Sequence, residues 1–214
     1  MIARIRRNVL AVLPVFFLLS CSGAGSRDLL PADPQLSLSC IGVLPVARTV
    51  DYDGNLTSGN AENLKNGRQI MDQLYEQYFR ANAHIRFVSD AQVEGLDVAL
   101  AGNALEQFRA IADRLSCNAV LETTLLAYKD RAGGEYSVKD PARVGFTYRL
   151  VETRGGRTLC SATFEETQQS LMENLFTLGK ATSRGFRWVT AEELLREGIQ
   201  QKLGECPYLQ RPQT

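Results

Sequence analysis

Histidine is nearly absent from this chain, and with it the side chain that most often moves protons near neutral pH. One histidine, His84, occurs in 214 residues. A lone histidine at the start of a short apolar segment reads as a surface or strand-edge residue, and no Ser or Cys nucleophile can be assigned to it, so an enzyme is not expected. No two cysteines stand at CxxC spacing, which leaves zinc-ribbon and thioredoxin-like chemistry without its ligands. A phosphate loop is missing as well. Gly179-Lys180 would need Gly where Asn174 stands and Ser or Thr where Ala181 stands. There is no polybasic stretch to hold anionic lipid or nucleic acid. No apolar run reaches the length of about 20 residues that a comfortable membrane span requires. Neither a cofactor nor nucleic acid is expected as a partner.

What is present begins at the amino end. Arg4, Arg6 and Arg7 precede an apolar run from Val9 to Leu19 that is interrupted by Pro14. This is the charge and length pattern of an export signal over residues 1–20. Leu18-Leu19-Ser20-Cys21 resembles the lipobox of bacterial lipoprotein precursors. That resemblance implies cleavage before Cys21 and lipid on its sulfur, so that the membrane is a partner through several acyl chains, each buried CH2 adding about 0.8 kcal/mol. Ser22 follows in place of the Asp that retains such proteins in the inner membrane of enteric bacteria. The expected location is the outer membrane, periplasmic face. Loss of residues 1–20 removes three arginines and leaves a mildly acidic chain. Residues 21–37 are small, polar and proline-bearing, a tether reaching about 50 Å when extended but averaging about 20 Å as a flexible coil.

Residues 38–206 are expected to form one α/β (α+β) domain, followed by a tail over 207–214. Cys40 to Val46 reads as a buried strand closed by Pro45. Met71, Leu74, Tyr75 and Tyr78 give the region from Glu62 to about Ala81 one apolar helical stripe. His84–Val88 is a short strand, and Ser89 is placed to cap a brief turn of helix. A helix from about Asn103 to Leu115 carries Leu105, Phe108, Ile111, Ala112 and Leu115 on one face. It leads into a strand from Cys117 whose opening, S-C-x-x-V-L, repeats that at Ser39, as two parallel neighbours would. Val144–Val151 and Thr158–Phe164, joined through Gly155-Gly156, read as an antiparallel hairpin. Helices follow over about 169–180 and from Thr190, where Glu193 completes a capping box and Gly204 is placed as the terminal cap. The order is β-α-β-α-β-β-β-α-α, a mixed sheet with helices packed on it. An oxidising compartment and an even count make Cys40, Cys117, Cys160 and Cys206 candidates for two disulfides, with three pairings open.

The strand IGVLPV, the amphipathic helix after it, RFVSDAQV, CNAVLET and the Gly-Gly hairpin together resemble a group of bacterial envelope proteins. The group includes the amino-terminal domain of the Tol-system beta-propeller protein, the curli-secretion channel lipoprotein, and the lipoprotein activators of penicillin-binding proteins. The resemblance covers about residues 38–204 and implies no catalytic residue. Two departures stand out. The segment from Lys129 to Arg143 is charged, contains Pro141 and is too short for a pair of membrane strands. The tether lacks the long arm with which the activators of enteric bacteria reach across the cell wall.

Two local motifs lie within that frame. Asp51, Asp53, Asn55, Thr57 and Glu62 fall at calcium-loop offsets 1, 3, 5, 7 and 12. Leu56 occupies the place of the required glycine, and the residues ahead read as a strand, so a strand-to-helix connection with Asx turns is the better reading. Such a connection at a strand's carboxyl end often borders a binding crevice. Arg184, Phe186, Arg187 and Trp188 form an aromatic-basic cluster that could be an interface. The expected function is a membrane-anchored, non-enzymatic binding or adaptor module for another cell-envelope component. The alternative is an oligomeric accessory component of an outer-membrane secretion or transport assembly.

Overall fold

The chain is described by a computed structural model covering residues 37–48, 58–97, 104–134, 138–168 and 188–210. In chain order the strands are β1 (Ile41–Val43), β2 (Ala47–Arg48), β3 (Ile85–Phe87), β4 (Ala119–Lys129), β5 (Ala132–Gly133), β6 (Val138–Asp140), β7 (Arg143–Glu152) and β8 (Thr158–Thr167). The helices are α1 (Ser58–Phe79), α2 (Asp90–Asp97), α3 (Ala104–Leu115) and α4 (Ala191–Gly204). The main sheet runs β3-β1-β4-β7-β8, with β2 also on β4. β1, β2 and β3 are parallel to their neighbours, and β7 and β8 are antiparallel. The expected mixed sheet with packed helices is therefore present in a single domain. The expected helix over 169–180 lies outside the described residues.

Each element answers to a local cause, and some differ from expectation. Pro45 cannot donate to a ladder. The apolar run at 40–46 consequently breaks into β1 and β2, which lie end to end along β4. α1 starts at Ser58, four residues ahead of the expected Glu62, and its buried stripe includes Leu64, Met71, Leu74, Tyr75 and Tyr78. The turn after Ser89 extends to an eight-residue helix. Gln92 N–H donates to Ser89 Oγ at 3.3 Å while Ser89 N–H donates to Gln92 Oε1 at 2.9 Å, a reciprocal cap. The same device opens α4. Glu193 N–H donates to Thr190 Oγ1, and Thr190 N–H to the Glu193 carboxylate. Gly204 is not the left-handed cap. The chain stays right-handed through Glu205 and turns on Cys206 N–H to Leu203 O, so no residue there needs positive φ.

The two S-C-x-x-V-L strands are parallel neighbours, but one residue out of the register the motif suggests: Val43 faces Leu121, not Val120. A one-residue slip exchanges the faces of every side chain. In the observed register Ile41, Val43, Ala119 and Leu121 share one core with α1 and α4, while Val120 joins Phe108, Ala112 and Val151 in a second core under α3. Ser116, at φ 54°, turns the chain between α3 and the disulfide. Beyond α3 the far face is polar. Thr124 and Thr147 stand opposite each other, as do Glu122 and Arg149. One solvated face is normal for the antiparallel half of a sheet.

Two disulfides fasten the domain, Cys40–Cys117 and Cys160–Cys206, with Cα separations of 4.5 and 5.9 Å. One joins the start of β1 to the entry of β4. The other joins β8 to the chain just past α4. Of the three possible pairings this one closes two separate loops.

Candidate functional site

The ends of β1 differ in kind. At its amino end the incoming chain is held by one side chain. Asn118 Oδ1 accepts from Ser39 N–H at 2.9 Å and from Ser39 Oγ, and Asn118 Nδ2 donates to Ser37 O at 2.8 Å. His84 lies here, exposed, with Nδ1 3.1 Å from Ser39 O. Thr153 N–H donates to Asn118 O, which brings the β7–β8 turn to the same pole. That turn is capped by the buried Glu152, whose carboxylate accepts from Arg154 N–H and Gly155 N–H, both at 2.7 Å, and Gly156 supplies φ 71°.

At the carboxyl end a cleft of about 580 Å3 opens. Its floor is Leu44 to Ala47, where Pro45 ends the strand. Leu64 of α1, Val93 of α2, and Phe108 and Ile111 of α3 make its apolar walls. Crossovers on opposite faces of the sheet explain its position. β1 connects through α1 to β3 on one face of the sheet, and β3 connects through α2 and α3 to β4 on the other. The two connections diverge from neighbouring strand ends and leave a crevice between them.

The charged groups around the cleft neutralise one another. Arg68 of α1 donates to Asp90 at the start of α2, and its Nε lies 3.7 Å from Asp72 Oδ2. Asp72 Oδ1 in turn accepts from Val46 N–H at 2.9 Å, fixing the break between β1 and β2. Burial raises the Asp72 pKa above its ordinary value, a rise that the Val46 N–H and Arg68 oppose. Across the floor Arg149 pairs with Glu122, and its guanidinium carbon lies 5.4 Å from the centre of the Phe108 ring. Gln107 adds an amide to the wall. An apolar floor with compensated charges at its edge suits an uncharged, apolar group. Among the described residues no His, Cys or Ser side chain lines the cleft.

The structure treats the motifs unevenly. Asp51, Asp53, Asn55 and Thr57 lie outside the described residues. Glu62 is exposed on α1. Among the described residues no cluster of three or more His, Cys, Asp or Glu is placed to hold a metal ion. Arg184, Phe186 and Arg187 also lie outside the described residues, while Trp188 is half-buried ahead of α4. The cleft residues Arg68, Asp90, Phe108 and Glu122 come from four elements, and the sequence did not show that they meet. The available signal was Pro45 at the end of a parallel strand.

No family model matches the chain, and no curated protein matches it. Among solved structures it is similar to the PelC dodecamer from Paraburkholderia phytofirmans, at 15% identity over 82% of this chain and 89% of that one, with a TM-score of 0.47. It is also similar to lipoprotein GNA1162 from Neisseria meningitidis, at 21% identity over 69% and 95% and a TM-score of 0.37. A further neighbour is the LpoB C-terminal domain from Escherichia coli, at 15% identity over 65% and 90% and a TM-score of 0.35. Likenesses at these scores transfer neither a site nor a partner to this chain.

Proposed function

We propose that this chain is a lipid-anchored periplasmic lipoprotein of the outer membrane whose domain is a non-enzymatic adaptor for another envelope component. Lipid on Cys21 would confine the domain to the membrane surface through the tether. The observation that carries the reading is the polarity of the domain. The chain enters beside Ser39 and Asn118 at the amino ends of the parallel strands, and the apolar cleft opens at their carboxyl ends. A short tether fastened at one pole leaves the opposite pole free to meet a partner. Among the described residues no helix is long and apolar enough to cross a membrane. The lipid on Cys21 therefore supplies the attachment in this reading.

The test is intact mass, size and crosslinking of the native protein extracted in detergent, with a photo-crosslinking residue in place of Gln107 in the cleft wall. A monomer acylated at Cys21 and joined through position 107 to one envelope protein supports the adaptor. A large discrete ring replaces it with the accessory component of a secretion or transport assembly. An unacylated Cys21 removes the anchor on which both depend.

A further inference from the structure

The sequence holds no run of basic residues, yet the fold gathers arginines at one end. Arg80 follows the last turn of α1, and Arg114 stands in the last turn of α3. Arg86 lies on β3 and donates to Leu115 O. Arg109 donates to Thr153 O at 2.8 Å and to Arg154 O at 3.1 Å. Arg154 is exposed in the β7–β8 turn. These five come from four different elements or turns, so no window of sequence shows them together. All of them surround the place where the chain enters the domain, beside Ser39, His84 and Asn118.

Two further points give this cluster meaning. Arg86 and Arg109 are held by backbone carbonyls, which are neutral acceptors and leave the guanidinium charge uncompensated. The acids of the same pole are few and partly engaged. Glu152 is buried and accepts from its own turn, and Glu205 lies 3.1 Å from Lys202 Nζ. Asp113 and Glu106 remain exposed on α3. The negative ends of α1 and α3 account for Arg80, Arg114 and Arg86, whose guanidinium donates to the last carbonyl of α3, but not for Arg109 or Arg154.

We propose that this arginine pole is a membrane-contact surface that binds anionic phospholipid headgroups. The inference rests on the anchor reading, because a tether rooted at this pole turns it toward the bilayer. A basic residue held near an anionic surface strengthens binding by about fivefold, and the attraction fades within a Debye length. A mildly acidic domain would otherwise be repelled by the same lipids. The basic pole thus sets its orientation and leaves the cleft facing away.

The experiment uses the whole mature chain with Cys21→Ser, so that no acyl chain contributes, and measures partition onto vesicles of phosphatidylcholine with and without phosphatidylglycerol. Partition should be at least tenfold stronger with phosphatidylglycerol at low salt. The triple variant Arg80→Glu, Arg114→Glu, Arg154→Glu should lose that preference. A matched reversal at the far pole, Lys65→Glu, Lys139→Glu, Arg143→Glu, should keep most of it, with circular dichroism confirming that both variants fold. Equal partition onto the two vesicle types overturns the proposal, and so does an equal loss in both triple variants. Neither result depends on acylation in the cell. An unacylated native protein would defeat the anchor reading and leave the vesicle result standing.

Discussion

Gly67 sits buried in the middle of α1, where a glycine should weaken a helix by about 1 kcal/mol relative to alanine. Gly67→Ala would therefore be expected to stabilise an exposed helix. Here the opposite should occur. A Cβ at position 67 would lie 2.7 Å from Tyr128 Cβ and 2.8 Å from its Cδ2, against the root of the side chain and not its flexible end. Tyr128 cannot yield without moving β4, the central strand. Overpacking of this kind costs about 1–3 kcal/mol and rises when the obstacle is rigid. We place the strain at the upper end, about 3 kcal/mol, so the net loss should be about 2 kcal/mol after the helix gain. For a domain of this size that is a fall in Tm of roughly 4–8 °C. The assay is urea and thermal unfolding of the single variants and of the pair with Tyr128→Ala. The ring removed, the added methyl should be neutral or stabilising, giving a coupling of about 2 kcal/mol. If Gly67→Ala stabilises the protein that retains Tyr128, the packing argument fails.

Other outcomes follow from the same structure. The Cys40–Cys117 and Cys160–Cys206 bridges span 77 and 46 residues, so replacing either pair by alanine should cost about 4 kcal/mol by chain entropy, read from denaturant midpoints. Asp72 binds its proton more tightly in the folded state, so its charged form opposes folding. That penalty is absent below 3.8, grows through the window up to the raised folded value and is constant above it. The unfolding free energy of the wild type minus that of Asp72→Asn should accordingly fall as pH rises through this window. A flat difference in urea titrations would refute the assignment. Asn118→Ala removes the partners of Ser39 N–H and Ser37 O and should cost about 1 kcal/mol. It should also speed hydrogen exchange at Ser39 while leaving α4 unchanged.

The sequence revealed the elements better than their arrangement. The α3 stripe and the Thr190–Glu193 box were visible because period and capping are local properties. The register of β1 on β4 was not. The repeated S-C-x-x-V-L suggested one alignment, whereas the choice was made by which face of each strand the two cores could bury. Gly67 and Gly198 gave no sign of their use. Each accommodates an aromatic ring from the sheet, Tyr128 and Phe164, and that partner is set by tertiary packing. The crevice was foreseen in kind from a parallel strand ended by proline. Its walls were not, since Phe108, Arg68 and Glu122 meet only after two crossovers on opposite faces.

The link between Cys40 and Cys117 also decides how the domain bears load. A pull on the chain ahead of Ser37 first meets the Asn118 hydrogen bonds, then a covalent bond into the entry of β4. From there the force spreads along a strand paired with β7 over nearly its whole length. β1 is three residues long and could not resist such a pull by its own hydrogen bonds. With the crosslink in place, tension bypasses β1 and enters the middle of the sheet as shear, the direction in which many hydrogen bonds must break together. Reduction would shift the load back onto β1, the strand least able to bear it, and make the entry of the chain the first part to unravel.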